Sequence, residues 1–427
     1  MIPDMDRLME SLSVEALREI QVRKLQACIQ DIWEHNEFYR KKLRGSGLIS
    51  PKDIESFEDL KALPFTHKEE LSNDQLETPP FGTNLTYPQE HYTRIHQTSG
   101  TTGRPLLWLD THESWEWWLR CWSKVYQAAG VTKNDRIFFA FSFGPFIGFW
   151  SAFEAAQRIG ALAVPGGGMT SYQRAQAILN RGITVLVCTP TYALHLAEVA
   201  AQEGLDVAKS GVRMTIHAGE PGASLPATRA RIESAWGSLC FDHAGATEVG
   251  AWGFEYRSKS SLHVNEGEFI CEIIDPSTGE PADEGEMVMT NLGRIGMPVI
   301  RYKTGDRVIG SRSGGRGFLK LEGGVVGRID DALVVRGVNV FPSAIENVIR
   351  QCEGVGEFAV HVRREKEMDD IEIQFETKAE QPEGVAHAVA REIQSGLGLR
   401  VRTNVVPMGS LPRFETKSKR FTDHRKK

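Results

Sequence analysis

"ITVLVCTPTYALHLAEVAAQEGLDVAKSGVRMTIHAGE", Ile183 to Glu220, decides how this chain folds. A short apolar run, ITVLVC, stops at Thr189-Pro190. TYALHLAEVAAQEG then carries helical spacing and ends in glycine. A second apolar run, VRMTIHA, stops at Gly219. Two short runs, apolar throughout and joined by a helix, describe parallel strands covered on both faces.

The same alternation extends outward. RIFFAF (136–141) and ALAVPGG (161–167) read as strands, and FWSAFEAAQRIG (149–160), SYQRAQAILNRG (171–182) and LPATRARIESAWG (225–237) as helices. Upstream, Val14, Leu17, Ile20, Val22, Leu25, Ile29 and Trp33 predict a helix over 14–43, and a tryptophan-rich helix is predicted over 111–129. Beyond 263 the texture changes to short strands with Gly/Asp turns, as in EFICEIIDPSTGEPADEGEMVMTNL, which predicts an antiparallel subdomain. From 328 onward strands and helices alternate again, as in a small α+β domain. The expected fold is α/β: a large domain over 1–327, with mostly parallel sheets flanked by helices plus the antiparallel subdomain, and a C-terminal α+β domain over 328–427.

Size and composition agree. The 427 residues suit two to three domains at about 150 residues each. The formal net charge of -6 gives no basic footprint for nucleic acid. Six widely spaced cysteines, none in a CxxC, read as reduced thiols of a cytoplasmic protein. The first residues, MIPDMDRLME, are unlike a signal peptide, and no run of about 18 apolar residues suits a membrane span. A monomer or homodimer is expected.

Five motifs carry possible chemistry. In HQTSGTTGRPLLW (96–108), glycines and hydroxyls form either a flexible turn or a nest for phosphate; the flanks are strand-like, so the loop closes a hairpin, and it lacks the Walker spacing. In FDHAGATEVG (241–250), Thr247 and Glu248 either open a helix or hold a phosphate and Mg2+. In RYKTGDRV (301–308), Asp306 either sits in a Gly-Asp turn or accepts two ribose hydroxyls. GRIDDALVVRGVNVFP (327–342) is a linker or a hinge. LPRFETKSKRFTDHRKK (411–427) is a solvated basic tail or the carrier of one active lysine.

The order of these motifs matters more than any one of them. Together with HNEFYRKKL (35–43), LPFTHKEEL (63–71), CTPTYALHLAE (188–198), GEP (219–221), MPVIRYKTGD (297–306) and RGVNVFPSAIE (336–346), they make the chain resemble the phenylacetate–CoA ligase branch of the adenylate-forming enzymes over about residues 30–425. The resemblance implies that a carboxylic acid and Mg·ATP give an acyl-adenylate and pyrophosphate. The acyl group then passes to the thiol of coenzyme A or, alternatively, of a carrier protein's phosphopantetheine.

By the same resemblance, Thr98, Ser99, Gly100, Thr101, Thr102 and Gly103 cradle phosphates, and Thr247 and Glu248 serve phosphate and Mg2+. Gly219, Glu220, Pro221, Asp242, His243, Ala244 and Gly245 line the nucleotide, with Asp242 alternatively meeting a polar substituent of the acid and His243 its ring hydroxyl or carboxylate; Asp306 binds ribose and Arg328 is a second nucleotide contact. Asp330 is the hinge of a mobile C-terminal domain, Gly337 lines the thiol tunnel, and Lys417, with Lys419 in reserve, is the adenylation lysine. An acid pocket is expected from Phe141, Phe143, Phe146 and Trp150, with Gly144, Gly148, Gly245 and Ala246 leaving room for a planar ring, so an aryl or arylacetic acid is the expected substrate.

Two positions depart from the family pattern. Ala244 replaces the usual adenine-stacking aromatic, and Arg104 replaces a common lysine. A degenerate, non-enzymatic nucleotide binder is one rival class. A kinase or ATPase, which would release ADP and not AMP, is another.

Overall fold

The computed structural model describes residues 9–47, 50–98, 105–220, 222–256, 259–312, 317–329, 333–335, 338–365, 368–414 and 419–425. The chain begins with α1 (Val14–His35) and α2 (Glu37–Gly45), where the pattern predicts a single helix. Asn36 divides them. Its side-chain oxygen accepts from Tyr39 N at 3.0 Å, capping α2, while its amide donates to Asn84 Oδ1 at 3.0 Å and Thr86 Oγ1 at 3.1 Å. A buried asparagine held on both sides satisfies the new helix terminus better than continuation would.

α3 (Lys68–Glu77), the hairpin β1 (Tyr92–Gln97) and β2 (Leu107–Thr111), and α4 (His112–Ala129) follow. Thr111 caps α4 by accepting from Ser114 N at 3.2 Å, and Gly130 ends it at φ 84°. Trp115, Trp117, Trp118 and Trp122 are all buried on this helix. Each such ring removes ~150–250 Å² from water, worth about 4–6 kcal/mol of transfer free energy.

The predicted alternation appears element by element: β3 (Arg136–Phe139), α5 (Ile147–Arg158), β4 (Leu162–Pro165), α6 (Ser171–Asn180), β5 (Val185–Cys188), α7 (Pro190–Gln202), β6 (Met214–His217), α8 (Pro226–Trp236) and β7 (Leu239–Ala246). Then come β8 (Gly250–Tyr256), β9 (Lys259–Val264), β10 (Phe269–Ile274), β11 (Glu284–Asn291), β12 (Tyr302–Ser311) and β13 (Lys320–Arg328). β3 to β13 form one sheet in the order β10-β11-β12-β13-β9-β8-β7-β6-β5-β3-β4. Its β4-β3-β5-β6-β7 side is parallel and its other side antiparallel. The two textures read from the sequence are therefore halves of one sheet. β7 joins them: Leu239–Asp242 pair with β6, and His243–Ala246 pair with β8. Sharing a strand leaves neither half with an open edge at the junction. All four residues of β5 are buried, as a strand covered on both faces requires.

The C-terminal part builds its own core. β14 (Leu333–Val335) pairs with β15 (Val338–Val340), followed by α9 (Pro342–Gln351), β16 (Val355–Glu365), β17 (Met368–Thr377), α10 (Pro382–Leu397), β18 (Arg402–Val406) and β19 (Phe421–Asp423). The sheet β18-β17-β16-β19 packs under α9 and α10 through a cluster centred on Ile345, Ile349, Phe358, Ile373 and Ile393. This part meets α7: Arg420 Nη1 donates to Thr191 Oγ1 at 3.3 Å, and Arg413 pairs with Glu198 at 3.4 Å.

None of the six cysteines is in a disulfide. Among the described residues no helix is long and apolar enough to cross a membrane.

His217 makes the fold acid-sensitive. It is fully buried, its Nε2 lies 2.8 Å from Thr215 Oγ1, and burial pulls its pKa down from 6.5 to about 4. Between those values the unfolded chain holds a proton that the folded chain refuses. Stability therefore falls as pH drops through 6.5 toward 4, by about 1.4 kcal/mol per pH unit from this residue. Urea melts of wild type and His217→Gln at pH 7.5 and 5.5 are expected to show the smaller pH dependence in the variant.

Candidate active site

The parallel half of the sheet places three motifs at the carboxyl ends of its strands, where ligands of open α/β sheets bind. Phe141–Trp150 follow β3, Gly219-Glu220 follow β6, and Thr247-Glu248 follow β7. Neither residue of the last pair opens a helix: together they form the tight turn between β7 and the antiparallel β8. The glycine before them serves that turn. A Cβ on Gly245 would sit 2.9 Å from Gly250 O, so the returning backbone excludes a side chain there, while the glycine itself is exposed.

Glu248 is buried apart from a small exposed part of its side chain, and Lys68 Nζ at the start of α3 lies 3.3 Å from its Oε1. Lys68 belongs to the LPFTHKEEL stretch, whose role in the site the sequence reading missed. Asp306 and Arg328 are cross-strand partners on β12 and β13, with Arg328 Nη1 3.3 Å from Asp306 Oδ1. Gly305, at φ 74°, lets β12 bulge there, so Asp306 lies within a strand and not in a hairpin turn.

A second missed residue, Tyr302, is buried at the start of β12. Burial raises its phenol pKa far above 10, the negative charges of Glu248 and Asp306 push the same way, and Arg328 opposes them. Three motifs separated by up to 80 residues (328 minus 248) thus act on one buried phenol.

On the other face of β7, Asp242 is buried and accepts a hydrogen bond from Ser224 Oγ. Burial, helped by Glu255, pushes its carboxyl up to about 7. Glu255 accepts from Asp242 N at 2.7 Å and holds Arg229 at 2.7 Å. Glu220 Oε1 accepts from Thr191 N at 2.9 Å, which ties its carboxylate to the start of α7. Gly219 is in the left-handed region at φ 95°.

His243 packs against Trp122 with ring centroids 4.1 Å apart and the planes tilted by 49°, and its Nδ1 lies 2.6 Å from Gly253 O. A carbonyl only accepts, so Nδ1 carries the proton. Burial lowers the imidazole pKa to about 4, so the ring is neutral and Nε2 offers a lone pair. Ala244 lies opposite Gly253 and packs on the core, and Ala246 lies opposite Gly250.

The aromatic residues expected in the acid pocket differ in their surroundings. Phe141 is buried and stacks on Phe149. Phe143 and Trp150 are half-buried with centroids 4.8 Å apart, and Trp150 Nε1 donates to Gly144 O at 2.9 Å. Phe146 is exposed at the N-terminus of α5. Gly148 faces open space.

The loop expected to hold phosphate, Ser99, Gly100, Thr101, Thr102 and Gly103, lies outside the described residues, as do Pro221, Asp330, Gly337 and Lys417. The base of the loop is described. Thr98 N donates to Leu106 O and Leu106 N to Thr98 Oγ1, both at 3.0 Å, which closes the predicted hairpin. Lys419 is exposed beside the buried Arg420.

Among the described residues no cluster of three His, Cys, Asp or Glu side chains suits a metal ion. Glu248 alone fits Mg2+, which takes one or two carboxylates and completes its shell with phosphates and water.

A fold with carboxyl-end loops of this kind and a separate C-terminal sheet defines the chain's class. Residues 49–293 match the AMP-binding enzyme family and residues 337–425 the AMP-binding enzyme C-terminal domain; the chain belongs to this family. Phenylacetate-coenzyme A ligase of Escherichia coli (strain K12) is 31% identical, over 97% of this chain and 97% of its own. A 2-hydroxyisobutyryl-CoA ligase in the postadenylation state, in complex with R3-HIB-AMP, superposes with TM-score 0.93 at 27% identity, covering 100% of this chain and 94% of that one. The same ligase with 2-HIB-AMP and CoA in the thioesterification state gives TM-score 0.74 at 29% identity, over 98% of this chain and 91% of that one.

Proposed function

We propose that this chain is an AMP-forming acid–thiol ligase: with Mg·ATP it converts a carboxylic acid to an acyl-adenylate, releases pyrophosphate, and passes the acyl group to coenzyme A. The observation that carries the reading is the Thr247–Glu248 turn at the carboxyl end of β7, with Lys68 Nζ 3.3 Å from Glu248, together with the Asp306–Arg328 pair across β12 and β13. In this reading Thr247 meets a phosphate, Glu248 holds Mg2+ with Lys68 beside it, and Asp306 accepts the ribose hydroxyls with Arg328 next to it. Asp242 lies at the base end of the nucleotide, with Gly219, Glu220 and Ala244. The ion would supply charge neutralisation for the phosphates; the protein's own part is to hold the carboxylate and cations in place before ATP arrives. No side-chain nucleophile is required, because the substrate carboxylate attacks.

A boundary at 327/328, with a hinge at Asp330, lets the terminal part bring Lys417 in for the first step and withdraw it for the second. The separate core of that part supports this, as does the unequal likeness to two states of one ligase, 0.93 against 0.74.

Phe143 and Trp150 at the mouth of α5 favour an aryl or arylacetic acid. The lone pair on His243 Nε2 favours one bearing a hydroxyl or amine. The test is ATP–pyrophosphate exchange over benzoates, hydroxy- and aminobenzoates, arylacetates and short 2-hydroxy acids, with coenzyme A against a holo carrier protein as thiol. AMP is the expected nucleotide product, and ADP or no exchange with any acid would sink the reading. His243→Leu is expected to lower kcat/KM for a hydroxylated acid about fivefold relative to its unsubstituted parent, the worth of one neutral hydrogen bond of about 1 kcal/mol. Equal losses on both acids would move His243 out of the pocket.

A further inference from the structure

Asp110 and Arg294 were singled out by no motif, yet both side chains are fully buried and bound to each other twice. Arg294 Nε donates to Asp110 Oδ1 at 2.8 Å and Nη2 to Oδ2 at 2.7 Å. The guanidinium lies 5.0 Å from the Trp108 ring and 5.4 Å from the Trp118 ring. Its remaining nitrogen, Nη1, donates to Thr247 O at 2.6 Å and reaches Glu248 O at 3.4 Å. Three residues earlier in the chain, Asn291 Nδ2 donates to Val249 O at 3.2 Å. Every carbonyl of the three-residue turn between β7 and β8 is thus held by a side chain from residues 291–294.

We propose that Asp110 and Arg294 are positioning residues for Mg·ATP, clamping the Thr247–Glu248 turn to the strand that leaves the 99–104 loop. Stability alone does not call for such a pair, since a buried ion pair exchanged for apolar residues of similar size is often no less stable. Its distinguishing feature is where the third guanidinium nitrogen goes. Asp110 is the penultimate residue of β2, which follows residues 99–104 in the chain, so one guanidinium ties the Thr247–Glu248 turn to that strand. Thr247 and Glu248 are then preset in place and ATP binding need not order the turn.

The inference rests on the adenylation reading. Its test is the double variant Asp110→Leu/Arg294→Met in the full chain, with Arg294→Lys beside it. Four quantities are measured: melting temperature, pyrophosphate exchange, Mg·ATP binding by calorimetry, and thioester formation from a supplied acyl-adenylate. The double variant is expected to melt close to wild type, bind Mg·ATP more weakly and lose exchange about 10- to 100-fold, while thioester formation is retained. Wild-type exchange and Mg·ATP affinity in the double variant would overturn the proposal and leave the pair merely structural. Should the double variant fail to fold, Arg294→Lys decides: lost exchange at unchanged melting supports the clamp, full exchange removes it. A wild-type chain inactive with every acid defeats the adenylation reading, and calorimetry of wild type against variant still judges the clamp.

Discussion

Lys417→Ala is expected to lower acyl-adenylate formation by about 100- to 1000-fold, the usual cost of removing one group that stabilises charge only in the transition state. The carboxylate approaches an α-phosphorus already surrounded by negative oxygens, and the charge that develops there is what a delivered ammonium offsets. The second half-reaction has no pentacoordinate phosphorus. Thioester formation from a supplied acyl-adenylate is therefore expected to survive in the same variant. Pyrophosphate exchange and single-turnover thioester formation, measured side by side, separate the two. If exchange persists in Lys417→Ala and disappears in Lys419→Ala, the role passes to Lys419, which is exposed beside Arg420.

Glu248→Gln is expected to reduce kcat/KM for Mg·ATP about 100-fold, close to 2.7 kcal/mol of transition-state stabilisation, and to raise the Mg2+ concentration needed for half-maximal exchange. The substitution keeps the shape and removes the charge. It also strips Lys68 of its partner at 3.3 Å, so part of the loss is a cation left without its carboxylate in a crowded site. Lys68→Met tests that share, since it leaves the Glu248 carboxylate intact. A Glu248→Gln enzyme with unchanged Mg2+ dependence would take Glu248 out of the metal role.

Much of this architecture is local and therefore readable. Runs such as ITVLVC and RIFFAF are short and apolar throughout, and helices with one apolar face separate them; burial on both faces leaves no other stable arrangement. The helix over 14–43 was read as continuous because its apolar spacing never breaks. It stops at Asn36 through bonds to Asn84 and Thr86, some fifty residues away, and periodicity carries no trace of such partners. Gly245 looked like space for a substrate ring. A second demand on the same glycine, the three-residue turn, is visible only once Gly250 O lies 2.9 Å from where a Cβ would be.

The site divides in the same way. Thr247, Glu248, Asp306 and Arg328 each read alone as turn or linker residues, and only the order of their motifs, which resembles that of the adenylate-forming enzymes, made them candidates for phosphate, metal and ribose. The sequence alone thus determined the strand–helix alternation, the order of the candidate motifs and the change of texture at the C-terminal part. Which groups meet was settled by tertiary structure. β7 changes partner between Asp242 and His243, and that switch sets a carboxyl pushed up to about 7 on one face and a neutral imidazole on the other. Asp110 and Arg294 lie in no quoted motif, and Tyr302 and Lys68 lie in motifs that gave them no role, because their contribution lies in distance, burial and direction, and these exist only after long-range strand pairing.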